Sequence, residues 1–165
     1  MGMQLGFDEL LRYTNDERDK WRAWLSVHPE ALEIEVQPDG RFRTIGALID
    51  HIFLVERRHL QRLAGSKPDE RTGLSGRHVP PLFDYGASVR RELEQFAGEL
   101  DPDVASEPVP ITVLGGATYP TSPRKLLFHC LLHEIRHWAQ IALSLRRAGL
   151  EPPGNHDLFY SRAVK

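Results

Sequence analysis

The 165 residues predict an all-α fold, a four-helix bundle with a long hairpin-like connection between its third and fourth helices. Three observations predict it. Four segments of about 20 residues carry apolar side chains at helical spacing. Proline, glycine and hydroxyl residues stand at the ends of these segments, where helices start and stop. Only one short stretch has the character of strands. No change of composition divides the chain, so residues 1–165 read as a single domain, long enough to bury a core of its own.

The first helix runs from about Gly6 to Val27, with Phe7, Leu10, Leu11, Trp21, Trp24 and Leu25 in phase, and Pro29 closes it. Residues 30–43 form a loop in which Pro38-Asp39-Gly40 reads as a turn. Thr44 can accept a hydrogen bond from a free backbone N–H and so cap the second helix, Ile45 to Leu63. Its apolar side is Ile45, Leu48, Ile49, Ile52, Val55, Leu60 and Leu63, and Ala64-Gly65-Ser66-Lys67-Pro68 stops it. After a polar loop over residues 66–80 the third helix runs from about Pro81 to Leu100, with Phe83, Val89, Leu93 and Phe96 in phase. Val109 to Leu114 and Ala117 to Tyr119 flank Gly115-Gly116 and read as a small hairpin or an extended loop. Ser122-Pro123 sets a capping hydroxyl before a first-turn proline, and the fourth helix runs to Ala148, where Gly149 and Pro152-Pro153 end it.

Composition excludes several functions. With 21 Lys+Arg against 23 Asp+Glu the net charge is -2, which gives no field to hold a phosphate backbone, so nucleic acid is not a partner. Arg57-Arg58 and Arg146-Arg147 read as solvated helix faces. No run of about 18 apolar residues crosses a membrane. Met1-Gly2-Met3-Gln4 lacks the plan of a signal peptide, and Gly6 stands where a myristoylation signal needs Ser or Thr. Cys130 is the lone cysteine, so no internal disulfide forms and a reducing, cytoplasmic setting is expected. Its phase on the apolar face marks it as a buried, inert thiol, and Trp21, Trp24 and Trp138 read as core packing.

The chemistry lies in the histidines. The fourth helix carries His129, His133 and His137 at successive i, i+4 positions, a ridge on which two imidazoles can reach one metal ion. Measured from the centre of the apolar stripe formed by Leu127, Cys130, Leu131, Trp138, Ile141, Ala142 and Leu145, His137 lies about 80° away and His133 about 120° away. On the second helix His51 also lies about 120° from its apolar centre. Two such flanks can converge in a cleft, and three protein ligands with an exchangeable position are the pattern of a catalytic zinc. His129 sits farther from the core, in a supporting position with His59. His28, His78 and His156 read as surface or hydrogen-bonded residues.

The second and fourth helices share a pattern. His51-x4-Glu56-x2-His59 matches His129-x4-Glu134-x2-His137, with Thr44 and Ser122 in equivalent places before them. So short a match signifies either an internal twofold relation or chance. It contains two Glu-x-x-His motifs, the mark of ferritin-like di-iron bundles, and both glutamates fall near the centre of their apolar stripes. That alternative also needs a core-facing carboxylate from each of the other helices. Glu17 could serve on the first, but Glu92 on the third lies about 100° out of phase.

Leu48 to Leu63, with His51 and Glu56 five residues on, resembles the second helix of the DinB/YfiT-like metalloenzyme superfamily. His133-Glu134-Ile135-Arg136-His137-Trp138-Ala139-Gln140-Ile141, followed by Gly149, Pro152 and Asp157, resembles its fourth helix and tail. Ala139 stands where the commonest family version has glycine, a departure that leaves the ligands intact. The resemblance implies a divalent metal, zinc or nickel foremost and iron as a further candidate, on His51, His133 and His137. It also implies a small-molecule substrate, with a low-molecular-weight thiol as cosubstrate in some relatives.

The expected function is therefore that of a metal-dependent hydrolase or thiol transferase. Glu56 or Glu134 would orient a ligand imidazole or shuttle a proton, and Gln140, one turn after His137, would hydrogen-bond a substrate or join two helices. The competing readings are a non-catalytic metal-binding stress or sensor module and a metal-free homodimer.

Overall fold

The computed structural model describes residues 5–37, 40–113 and 116–164. It is dominated by five helices: α1 (Phe7–Val27), α2 (Ile45–Leu63), α3 (Val79–Glu99), the single turn α4 (Pro102–Ala105) and α5 (Pro123–Arg147). Short 3-10 turns follow at Pro29–Glu33 and Leu158–Tyr160. The one sheet among the described residues is a hairpin of β1 (Val109–Thr112) and β2 (Thr118–Thr121), antiparallel with Val109 opposite Thr121 and Thr112 opposite Thr118. Pro38 and Asp39 of the expected turn, Leu114 and Gly115 of the hairpin tip, and Met1 to Gln4 lie outside the described residues.

The four long helices start and stop within two residues of where their sequence signals put them, because the caps act as read. The Thr44 hydroxyl accepts from the Ala47 N–H and the Ser122 hydroxyl from the Lys125 N–H. The third helix begins earlier than expected, at Val79, so that Pro80 and Pro81 occupy its first turn, where no N–H is needed.

Around the core α2 packs on α3 and α5, while α1 packs on α3 and α5. Trp21, Leu25, Ile45, Ile49, Phe53, Leu82, Trp138 and Ile141 fill its centre. Trp21 and Trp138 stack with ring centroids 5.1 Å apart. Cys130 joins Leu60, Val89, Leu93 and Leu127 in a second apolar group, and burial pushes its thiol far above the ordinary range. No helix among the described residues is long and apolar enough to cross a membrane.

The loop before α3 is held tightly against α2 at two places. A Cβ on Gly46 would stand 1.8 Å from the Gly76 carbonyl oxygen, so only glycine lets the loop before α3 lie against the first turn of α2. Arg58 corrects the expectation of a solvated basic pair. It is buried, and its guanidinium donates to the Asp69 and Glu70 carbonyls at 2.7 Å each, tying that loop to α2. Arg57 pairs instead with Glu92 and Asp69.

Candidate metal centre

His51 projects from the middle of α2 and His133 and His137 from the middle of α5, and the packing of these two helices brings the three rings together. The Nε2 atoms of His51 and His133 lie 3.2 Å apart, and those of His137 and His133 3.0 Å apart. One ligand atom from each of the three falls within 4.8 Å of the other two, and the group could hold a metal ion. Two imidazole nitrogens on one tetrahedral zinc, each about 2.0–2.1 Å from it, stand about 3.3 Å apart. The observed spacings are close to that, so the donor set fits a divalent ion with little movement.

Protonation states favour the same role. The Gln140 carbonyl oxygen lies 2.6 Å from His137 Nδ1. A carbonyl only accepts, so Nδ1 carries the hydrogen and Nε2 turns a lone pair toward the other rings. Burial lowers the His51 pKa to about 3, helped by the nearby His137, Arg41 and Arg58 charges. Burial also lowers His133 to about 2, helped by its four neighbouring histidines. His137 is lowered by burial too, with the Gln140 hydrogen bond opposing. All three rings are therefore neutral at physiological pH, as a metal ligand must be.

Phe42, from the loop before α2, stacks on the His51 ring at 4.0 Å and meets His137 edge-on at 6.5 Å. It lines two clefts. One, of about 290 Å3, is lined by Arg41, Phe42, Asp50, His51, Arg58 and Leu74. The other, of about 520 Å3, is lined by Val36, Arg41, Phe42, His137, Gln140 and Leu143. A further cavity of about 540 Å3, walled by Glu17, Trp138 and His156, contains none of the three imidazoles.

One sequence expectation is corrected. Glu56 and Glu134 do not touch the imidazoles. Both point into the core, where Arg18 and Arg90 bridge them. Arg18 reaches Glu56 at 2.6 Å and Glu134 at 2.7 Å, and Arg90 reaches Glu56 at 3.0 Å and Glu134 at 2.5 Å. Trp138 Nε1 donates to Glu134 as well. Burial opposes the Glu134 charge, but Arg18 and Arg90 outweigh it and hold the carboxyl below its ordinary pKa. The same arrangement removes the di-iron alternative, because two guanidinium groups fill the space its ions would need. Glu17, the third carboxylate of that reading, pairs with Lys20 and His156. The Gln140 carbonyl oxygen is engaged by His137 on the same helix, and Gln140 lines the larger of the two clefts beside the imidazoles.

His59 and His129 pair with each other at the edge of the three-ring cluster rather than inside it. Their centroids are 5.2 Å apart with planes at 90°, and His129 lies 5.6 Å from His133. His156 is hydrogen-bonded to Glu17 and stacked on Trp21. Phe42 and the Arg18–Arg90 pair were not singled out in the sequence. Phe42 lies in a loop without periodicity. The arginines did leave a signal, because Arg18 and Arg90 sit in phase with Trp21 and Leu93 inside apolar stripes.

The family model of the DinB family matches residues 1–163. The chain belongs to the DinB family. A search of curated proteins gave no match. Membership and the three-histidine group together describe a metal-binding DinB-family protein.

Proposed function

We propose that this DinB-family chain is a metal-dependent enzyme. In this reading it is one domain, a DinB/YfiT-like four-helix bundle, that holds a divalent cation on His51, His133 and His137. Zinc or nickel suits three imidazoles best, and iron(II) is also compatible. The observation that carries the reading is the meeting of three neutral ring nitrogens, 3.0 and 3.2 Å from the central one, beside two clefts.

A bound divalent ion would lower the pKa of water or of a low-molecular-weight thiol, supplying a nucleophile for hydrolysis or thiol transfer. The chain's own residues do the rest. Gln140 holds His137 in the tautomer that presents Nε2. Phe42 shields one face of His51 and walls both clefts. Arg41, exposed and shared by the two clefts, offers a guanidinium to an anionic part of the substrate. The clefts beside the imidazoles favour an enzyme over a purely structural metal module. The single buried cysteine suits a cytoplasmic setting. Leu132 and Leu143, both exposed and on one side of α5, suit a homodimer.

Elemental analysis of protein purified without added metal, compared with His133→Ala, tests the site. About one ion per chain in the parent and almost none in the variant is the expected result; equal content would overturn the reading. Turnover of a panel of thiols and hydrolysable esters by the loaded protein then tests the chemistry. A loaded protein inert toward the whole panel would leave a non-catalytic metal module.

A further inference from the structure

The twofold pattern read in the sequence extends through the structure. The offset that takes Thr44 to Ser122, both helix caps, takes His51 to His129, Glu56 to Glu134 and His59 to His137. A second offset, from α1 to α3, takes Arg18 to Arg90 and Thr14 to Gly86. The contacts are reciprocal. Arg18 and Arg90 each bind both glutamates. Arg18 Nη1 donates to the Gly86 carbonyl at 3.0 Å, and Arg90 Nη1 to the Thr14 hydroxyl at 2.8 Å. An exchange of α1–α2 with α3–α5 accounts for every one of these pairings.

The same exchange must act on the histidines. It carries the pair His51–His137 onto the pair His129–His59. The first pair has ring centroids 5.2 Å apart at 80°, and the second 5.2 Å apart at 90°. Two members of the three-imidazole centre therefore recur, in the same mutual arrangement, at the symmetry-related place.

What differs are the two remaining parts. The counterpart of His133 is Val55, half-buried as His133 is. The counterpart of Gln140 is Arg62, a pure donor, whose Nε–H goes to the Thr112 carbonyl. Gln140 accepts from the His137 Nδ1–H, whereas Arg62 has no acceptor to offer an Nδ1–H and turns its own Nε–H away to Thr112. Accordingly His59 Nδ1 is buried without any hydrogen-bond partner among the described residues, a costly state that invites a ligand or a water.

We propose that His59 and His129 form a second site for a divalent transition-metal ion, the twofold counterpart of the first and weaker than it. Two imidazoles bind, and water completes the coordination. The site is weaker because it lacks a third ring and its accepting clamp, and because the Arg62 cation stands nearby.

Calorimetric titration of the metal-free full chain with zinc chloride reads both events. The expected result is a tight first equivalent and a weaker second one. His129→Ala, at a solvent-exposed position that should not disturb folding, removes the second event and leaves the first. His51→Ala weakens the first and leaves the second. Arg62→Gln restores the accepting clamp and tightens the second event by about 10-fold or more, and Val55→His tightens it further. Saturation at one ion in the parent overturns the proposal, as does a second event that survives in both His59→Ala and His129→Ala. A second event lost in His129→Ala, together with a first unaffected by His51→Ala, supports this site and counts against the function proposed above.

Discussion

Replacing Glu134 by glutamine separates a structural role for this residue from a catalytic one. Its carboxylate is fully buried and accepts from Arg18 Nε at 2.7 Å, Arg18 Nη2 at 2.9 Å, Arg90 Nη2 at 2.5 Å and Trp138 Nε1 at 3.0 Å. The cluster is neutral as built, two guanidinium groups against two carboxylates. Glu134→Gln leaves one positive charge uncompensated in a space screened from water and sets an amide N–H₂ against guanidinium donors. Breaking a buried pair in this way costs about 3–5 kcal/mol. For a chain of this length each kcal/mol lowers the melting temperature by roughly 2–4 °C, so a fall of about 6–20 °C is expected. Thermal unfolding followed by circular dichroism measures it. The imidazoles share no hydrogen-bond partner with Glu134, so zinc affinity per folded molecule should change by less than about threefold. An unchanged melting temperature combined with collapsed metal affinity would refute the reasoning and return Glu134 to the site.

Gln140→Leu removes the acceptor that fixes the His137 tautomer and should weaken metal binding by about 10–100-fold, with thermal stability of the metal-free protein little altered; competition against a chromogenic chelator reads the change. Gly46→Ala forces a methyl group against the Gly76 carbonyl and should destabilise the fold by about 1–3 kcal/mol in urea unfolding. Acid should weaken the metal-free protein early. His51 and His133 have folded pKa values of about 3 and about 2 against an ordinary 6.5. Below pH 6.5 the unfolded chain takes up protons that the folded one refuses, so stability falls as pH drops from about 6.5 toward 3. Glu134, held low by the arginines, adds a further loss below the ordinary carboxylate range. A His51→Ala/His133→Ala variant should show a flatter profile between pH 6.5 and 4.5, and an identical slope would contradict the assignment.

The helix ends and the histidine cluster were legible in the sequence because each rests on local or directional information. Thr44 and Ser122 cap their own helices, and a ring about 120° from an apolar stripe can point only to the edge of the core. The same periodicity misled for Glu56 and Glu134. It placed them near the core centre but said nothing of what faces them from α1 and α3. The missing term was already in the chain as two arginines, Arg18 and Arg90, inside otherwise apolar stripes. A charged residue in core phase on each of four helices, two of each sign, is a balanced set, and its members are better paired with one another than assigned to chemistry. That pairing has a consequence for the metal centre. Because α2 and α5 are joined by several separate arginine contacts on their inner faces and also pack directly on each other, the outer flanks carrying His51, His133 and His137 keep their register even when one of those contacts is lost. A metal ion would then find its ligands already converged, and the cost of gathering them is met by folding rather than by binding.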